Sequence, residues 1–276
     1  MEKPEPSGDK ASALWTKILW ILRISASLCF IGHGAFGIIT KAEWLPFFGL
    51  FRIPPEIAFQ LMPLIGLMDI GLGLLILFFP FRITLAYMTF WSVWTALLRP
   101  LIGLSWWEFF ERAGNYGVPL TLLILSGFPR KISDWFQRLH HQDFLWTRHL
   151  TASWILRLTV GLVSIGHGGF GAFIHKSMLV DHFASIGLPP GSMDPVLFLT
   201  LFGWFEILLG IAIIIRPYGW LLLFSMFLKI GIELLYPISG YPYWEFIERW
   251  GSYGAPLALF YIQRLEVLRT AHSHSK

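Results

Sequence analysis

The sequence predicts an all-α integral membrane protein whose eight transmembrane helices form two homologous four-helix bundles in the same orientation. Three observations carry that prediction. Hydrophobic residues make up 55% of the 276 positions and aromatics 17%, while only 14% are charged, against about 25% in a soluble domain. Apolar runs occur at 14–40, 56–79, 81–98, 106–128, 151–174, 194–215, 218–236 and 243–265, each close to the ~20 residues that cross a bilayer as helix. The chain also repeats itself. Residues 22–37 (LRISASLCFIGHGAFG) match 156–171 (LRLTVGLVSIGHGGFG) at nine of 16 positions, and 107–122 (WEFFERAGNYGVPLTL) match 244–259 (WEFIERWGSYGAPLAL) at 11 of 16.

The organisation follows in order. Residues 1–13 are polar, have no apolar signal-peptide core and read as a disordered tail. The first four-helix repeat covers 14–128. The connector 129–150 mixes Trp135, Phe136, Leu139, Phe144 and Trp146 with basic residues, as an interfacial amphipathic helix does. The second repeat covers 151–265 and a short tail 266–276. An even number of spans per repeat gives both halves one orientation. Twelve Lys and Arg residues fall at the termini, the connector and the corners near Arg82 and Arg216, against six at the opposite ends (Lys41, Arg52, Arg99, Arg112, Lys176, Arg249), so both termini are expected to be cytoplasmic in a bacterial inner membrane. Topology thus accounts for the net charge of +4 without a nucleic-acid partner.

The first helix of each repeat carries Arg23 or Arg157 and, ten residues later, His33 or His167 between glycines. Asp69 and Glu206 lie in the second helices. At ~1.5 Å per residue, Arg23 and Asp69 each fall about 15 Å from the same membrane face, so intramembrane ion pairs Arg23–Asp69 and Arg157–Glu206 are expected, since an unpaired charge at that depth is costly. Lys229 and Glu233 are a further (i, i+4) pair on the seventh helix, where the first repeat has Ser92 and Ala96. The fourth helices open with Glu108, Glu111 and Arg112, or Glu245, Glu248 and Arg249. Each half is expected to gather one His, two Glu and one Arg at similar depth, as ligand-binding or proton-exchange groups. Pro119 and Pro256 should bend these helices.

The single cysteine, Cys29, excludes an intramolecular disulfide and dithiol redox chemistry. His140 and His141 lack the carboxylate or thiol company of a metal site. No nucleotide-binding glycine loop, HExxH motif or nucleophile elbow is present.

The Leu-Arg and Gly-His-Gly segments of the first helix, the Pro54–Pro55 and Pro189–Pro190 turns and the Glu-x-x-x-Gly of EILLG resemble the DoxX/DoxD-like family of four-helix membrane proteins, here as a fused tandem pair. The lysine that such proteins place after His-Gly is matched only loosely by Lys41 and Lys176, and the WEFxER block lies outside the pattern. The resemblance implies a redox-associated membrane protein, such as a subunit of a quinone-linked oxidoreductase, with partner proteins in a redox complex. The expected ligand is a quinone or another small amphipathic molecule. The alternatives are a non-enzymatic transporter, lipid-binding or assembly protein, and a haem protein with His33 and His167 as axial ligands.

Overall fold

The computed structural model describes residues 9–273. Among them the α-helices run α1 Asp9–Ile38, α2 Leu45–Gly49, α3 Pro55–Phe78, α4 Arg82–Leu101, α5 Trp107–Glu111, α6 Ala113–Ser126, α7 His149–Gly169, α8 Ser177–Ala184, α9 Pro195–Ile215, α10 Gly219–Glu233, α11 Leu235–Ile238, α12 Trp244–Glu248 and α13 Trp250–Ser273. Residues Phe170–Ile174 extend α7 as a π-helical turn.

Among the described residues, five segments are long and apolar enough to cross a membrane: Lys10–Ile38, Pro55–Phe78, Trp146–Ile174, Pro195–Ile215 and Gly219–Ile238. Their outward faces are apolar as well, with Leu64, Leu67, Leu201, Leu208 and Ile215 exposed, a pattern that fits hydrocarbon and not water. The other three expected spans are helical but more polar or shorter. Helix α4 carries Arg82 and Arg99, the WEFFER helix breaks at Arg112 into α5 and the 14-residue α6, and α13 includes Gln263, Arg264 and Glu266.

Helix α1 buries one stripe, Trp15, Ile18, Leu19, Leu22, Ala26, Cys29 and Phe30, at three- and four-residue spacing. Small residues let it approach α3 closely: a Cβ on Gly34 or Gly37 would meet backbone atoms of Gly66 or Met62. Helices α7 and α9 repeat this contact through Gly161, Gly168 and Gly171 against Gly203 and Gly210.

The halves interlock. Helix α1 packs along α12 and α13 of the second repeat, and α7 packs along α5 and α6 of the first. A Cβ on Gly32 would lie 2.6 Å from Glu248 Cα, and one on Gly166 would lie 2.7 Å from Glu111 Cα. Gly114 meets Gly251 between the two WEFxER blocks. Each first helix then ends in a residue of left-handed backbone, Thr40 (φ 54°) and His175 (φ 50°), which turns the chain so that the next residue, Lys41 or Lys176, reaches the opposite repeat.

Three expectations change. The connector forms three short 3-10 turns, Ile132–Trp135, His141–Asp143 and Trp146–Arg148, in place of one amphipathic helix. Three of its apolar residues, Leu139, Phe144 and Trp146, are buried in the main core, while Ile132 and Phe136 stay exposed. The helix α1 begins at Asp9, within the expected tail, because Ala11 and Trp15 already pack into that core; residues 1–8 lie outside the described residues. At the other end α13 continues through the expected tail to Ser273.

Candidate functional site

His33 and Asp69 meet where α1 crosses α3, with His33 Nδ1 2.7 Å from Asp69 Oδ2; His167 and Glu206 repeat the contact at 2.6 Å between α7 and α9. These carboxylates are therefore partnered by imidazoles, and the expected Arg23–Asp69 and Arg157–Glu206 pairs do not form. Arg23 donates to the carbonyls of Ile76 and Leu77, and Arg157 to those of Ile214 and Ile215 at 2.7 Å. The cause is local: the last carbonyls of a helix have no amide partner, and a guanidinium satisfies them well. Ile76 lies seven residues beyond Asp69, about 10 Å along the helix, which separates Arg23 from the acid.

The expected Lys229–Glu233 pair is also replaced. Lys229 Nζ donates to Glu206 Oε1 at 2.8 Å, both residues being almost wholly buried, and Glu233 Oε2 lies 3.1 Å from Arg249 Nε. Interhelical partners win because both side chains sit inside the bundle, where a carboxylate gains more from a facing cation than from one on its own helix surface. The halves differ here. Glu206 has a partner on each oxygen, whereas Asp69, in the repeat that has Ser92 at the position of Lys229, keeps Oδ1 buried with no hydrogen-bond partner among the described residues.

The two WEFxER blocks form one network across the repeats. Arg112 holds Glu108 at 2.8 Å and Glu111 at 2.7 Å; Arg249 holds Glu245 at 2.7 Å and Glu248 at 3.1 Å. Crossed lysines complete it, Lys41 to Glu245 at 2.5 Å and Lys176 to Glu108 at 2.9 Å. Arg249 also reaches Glu111 of the other repeat at 3.2 Å and Tyr236 Oη at 3.0 Å, and Arg99 lies 3.6 Å from Glu108. The five cations Lys41, Arg99, Arg112, Lys176 and Arg249 and the carboxylates Glu108 and Glu245 line a chamber of about 420 Å³, whereas Glu111 and Glu248 do not line it.

Beside it lies an apolar cleft of about 240 Å³ in the first repeat, walled by Trp44, Phe47, Phe48, Phe51, Trp91 and Trp94, with His33 and Arg99 as its basic groups. Trp44, Phe47 and Arg99 belong to both cavities. The His33 ring stacks on Trp44 at 4.7 Å, and Asp69 fixes its Nδ1. The second repeat lacks these aromatic residues at four of the six positions, and at a fifth has Ile186 in place of Phe51. Leu179 and His182 stand where the first repeat has Trp44 and Phe47, and Leu228 and Gly231 where it has Trp91 and Trp94. His182, on α8 between two spans, is buried against Tyr236 and Tyr241, with ring centroids 4.4 and 5.3 Å away. Burial, aided by the Arg249 charge, pushes its imidazole down to about 4.

Of the expected groups, Glu108, Arg112, Glu245 and Arg249 line the chamber, His33 lines the cleft, and His167 lines neither cavity. The grouping is by crossed halves: His33 on α1 packs beside α12 and His167 on α7 beside α5. Sequence reasoning missed Lys41, Lys176, Arg99 and the aromatic wall as site residues. The recurrence of Lys41 and Lys176 at an offset of 135, and the one-sided occurrence of Trp91 and Trp94, were the available signals. His141 Nε2 lies 2.9 Å from Thr16 Oγ1, and the described residues contain no cluster of three His, Cys, Asp or Glu side chains able to hold a metal ion. Comparison with protein-family models, curated proteins and solved structures gave no match.

Proposed function

We propose that the protein is an eight-span membrane protein of DoxX-like type, with its termini cytoplasmic, that binds a quinone-like amphipathic ligand in its first repeat and serves a membrane redox reaction. The observation that carries this reading is the aromatic cleft walled by His33, a histidine oriented by a buried carboxylate. A planar ring is well served by Trp and Phe faces. Asp69 holds Nδ1 and leaves Nε2 to exchange a proton with a ring oxygen, while Arg99, on the wall shared with the chamber, offers a donor for a second oxygen. Phe51, half exposed, leaves the cleft mouth apolar for a tail. A bound quinone supplies the electron-accepting chemistry; the chain supplies position and protons. The charged network is saturated by its own partners, which suits a clamp between the repeats better than a second ligand site.

The test is quenching of tryptophan fluorescence by decyl-benzoquinone in the detergent-solubilised protein. Saturable quenching is expected, with His33→Ala weakening affinity about tenfold, ~1.4 kcal/mol, and His167→Ala leaving it unchanged. Non-saturable quenching, or equal affinity in both variants, would refute the reading. Saturable binding of a lipid probe with no response to the quinone would favour a lipid-binding role for the same cleft.

A further inference from the structure

The two cavities differ in the charges on their walls. Glu43, Glu108 and Glu245 stand among the cations of the chamber, whereas no acidic residue is among the described residues that line the aromatic cleft, whose ionisable groups are His33 and Arg99. Arg99 is also the one cation of the chamber wall that makes no hydrogen bond to a carboxylate among the described residues. Lys41, Lys176, Arg112 and Arg249 each hold Glu108 or Glu245 at 2.5 to 2.9 Å. The carboxylate oxygen nearest Arg99, Glu108 Oε2, is 3.6 Å from its Nε and already held by Arg112 at 2.8 Å. Arg99 Nη1 donates to the carbonyl of Thr95 at 3.3 Å, and Nη2 has no hydrogen-bond partner among the described residues. A further buried acid, Glu233, lies 3.1 Å from Arg249 and lines neither cavity. In the second repeat the place of Arg99 is taken by Tyr236, a neutral group whose hydroxyl accepts from Arg249. The under-partnered cation and the aromatic wall therefore occur in the same repeat.

We infer that the ligand of the aromatic cleft is an anion: a planar amphipathic molecule whose single negative charge lies on a ring oxygen held by Arg99. This rests on the cleft being the ligand site and narrows the quinone-like class to its acidic members. A buried guanidinium with incomplete pairing is costly in a membrane, and its N–H fork gains most from an oxyanion. Arg99 Cζ lies 5.3 Å from the Phe47 ring, and both residues belong to the wall that cleft and chamber share. An oxyanion can thus meet the guanidinium from the cleft side while its ring stays on the Trp and Phe faces. A cationic amphiphile would meet two basic groups and no carboxylate there, and a neutral one would leave the charge of Arg99 uncompensated.

The experiment is a titration of decyl-nitrophenol, whose ring hydroxyl ionises near neutral pH and turns yellow, bound to the purified full chain in detergent. The part of the signal displaced by decyl-benzoquinone reports the probe in the cleft. There the hydroxyl should ionise about one pH unit lower than in protein-free micelles, equivalent to an about tenfold preference for the anion. Burial away from a cation shifts a phenol the other way, so the sign is diagnostic. Arg99→Tyr, which installs the residue of the second repeat, and Arg99→Gln should both lose the downward shift. A displaceable probe that ionises at the same or a higher pH than in micelles would overturn the inference and leave the cleft as a site for neutral ligands. An undiminished downward shift in either folded variant would also overturn it, because a group other than Arg99 would then hold the anion. Absence of any displaceable probe, neutral or ionised, would instead remove the cleft as a ligand site, and the inference with it. Should neither variant fold, the titration of the natural protein decides the question by its sign.

Discussion

Replacing Gly32 or Gly166 by alanine should destabilise the protein, while the same change at Gly71 or Gly231 should not. A Cβ at Gly32 meets the backbone of Glu248, and one at Gly166 meets the backbone of Glu111 and Phe110, all well inside van der Waals distance. The obstacle is main chain of a helix from the other repeat and cannot rotate aside. Overpacking of this kind typically costs about 1–3 kcal/mol, and contact with backbone belongs at the upper end. Nothing lies within 4 Å of a Cβ at Gly71 or Gly231, so there alanine should gain up to about 1 kcal/mol of helix propensity. Unfolding in mixed micelles with increasing SDS, followed by circular dichroism, reads both signs. Equal stability of Gly32→Ala and Gly71→Ala would refute the interlocked packing of α1 on α12, since no other feature distinguishes these two helical glycines so sharply.

Two further outcomes follow from the buried charges and from α8. Lys229→Met should cost about 3–5 kcal/mol because it leaves the buried Glu206 without its ammonium partner and one oxygen bare beside the His167 contact, and adding Glu206→Gln should recover much of that loss; in the same unfolding assay, simple addition of the two single losses would contradict the pairing. His182 is held neutral by burial, with its folded value near 4 and its ordinary value near 6.5. Between those values the unfolded chain binds a proton that the folded chain does not, so stability should fall as pH drops from about 6.5 to 4, by up to ~3 kcal/mol. His182→Phe, which installs the residue found at the corresponding place in the first repeat, should flatten that part of the pH profile; an unchanged slope would remove His182 as its cause.

Much of this architecture is written in the chain. Composition and the repeat announce a helical membrane protein, and ionisable residues inside apolar runs mark where its polar interior lies. Pairing was harder to read. Matching Arg23 to Asp69 used depth alone, whereas a contact also needs the right helix face, and the free carbonyls at the end of α3 offered the guanidinium a nearer partner. The intervening His33 faces Asp69 instead. Tandem duplication likewise does not say which copy of the fourth helix packs on which copy of the first. That depends on the chain crossing between halves, fixed here by Gly32 against Glu248 and Gly166 against Glu111. The aromatic cleft was hidden for a different reason: Trp44, Phe47, Trp91 and Trp94 resemble ordinary interfacial aromatics until α2 folds over α3 and α4.

The difference between the repeats at the aromatic cleft, the proposed ligand site, is the centre of the account, and photolabelling tests it most directly. A short-chain azido-benzoquinone should be irradiated with the solubilised protein and the modified peptides mapped by mass spectrometry. Labelling should fall on 44–53 and 91–99 and be displaced by unlabelled decyl-benzoquinone. Displaceable labelling on the corresponding second-repeat segments 179–188 and 228–236, with the first-repeat segments unmodified, would contradict it.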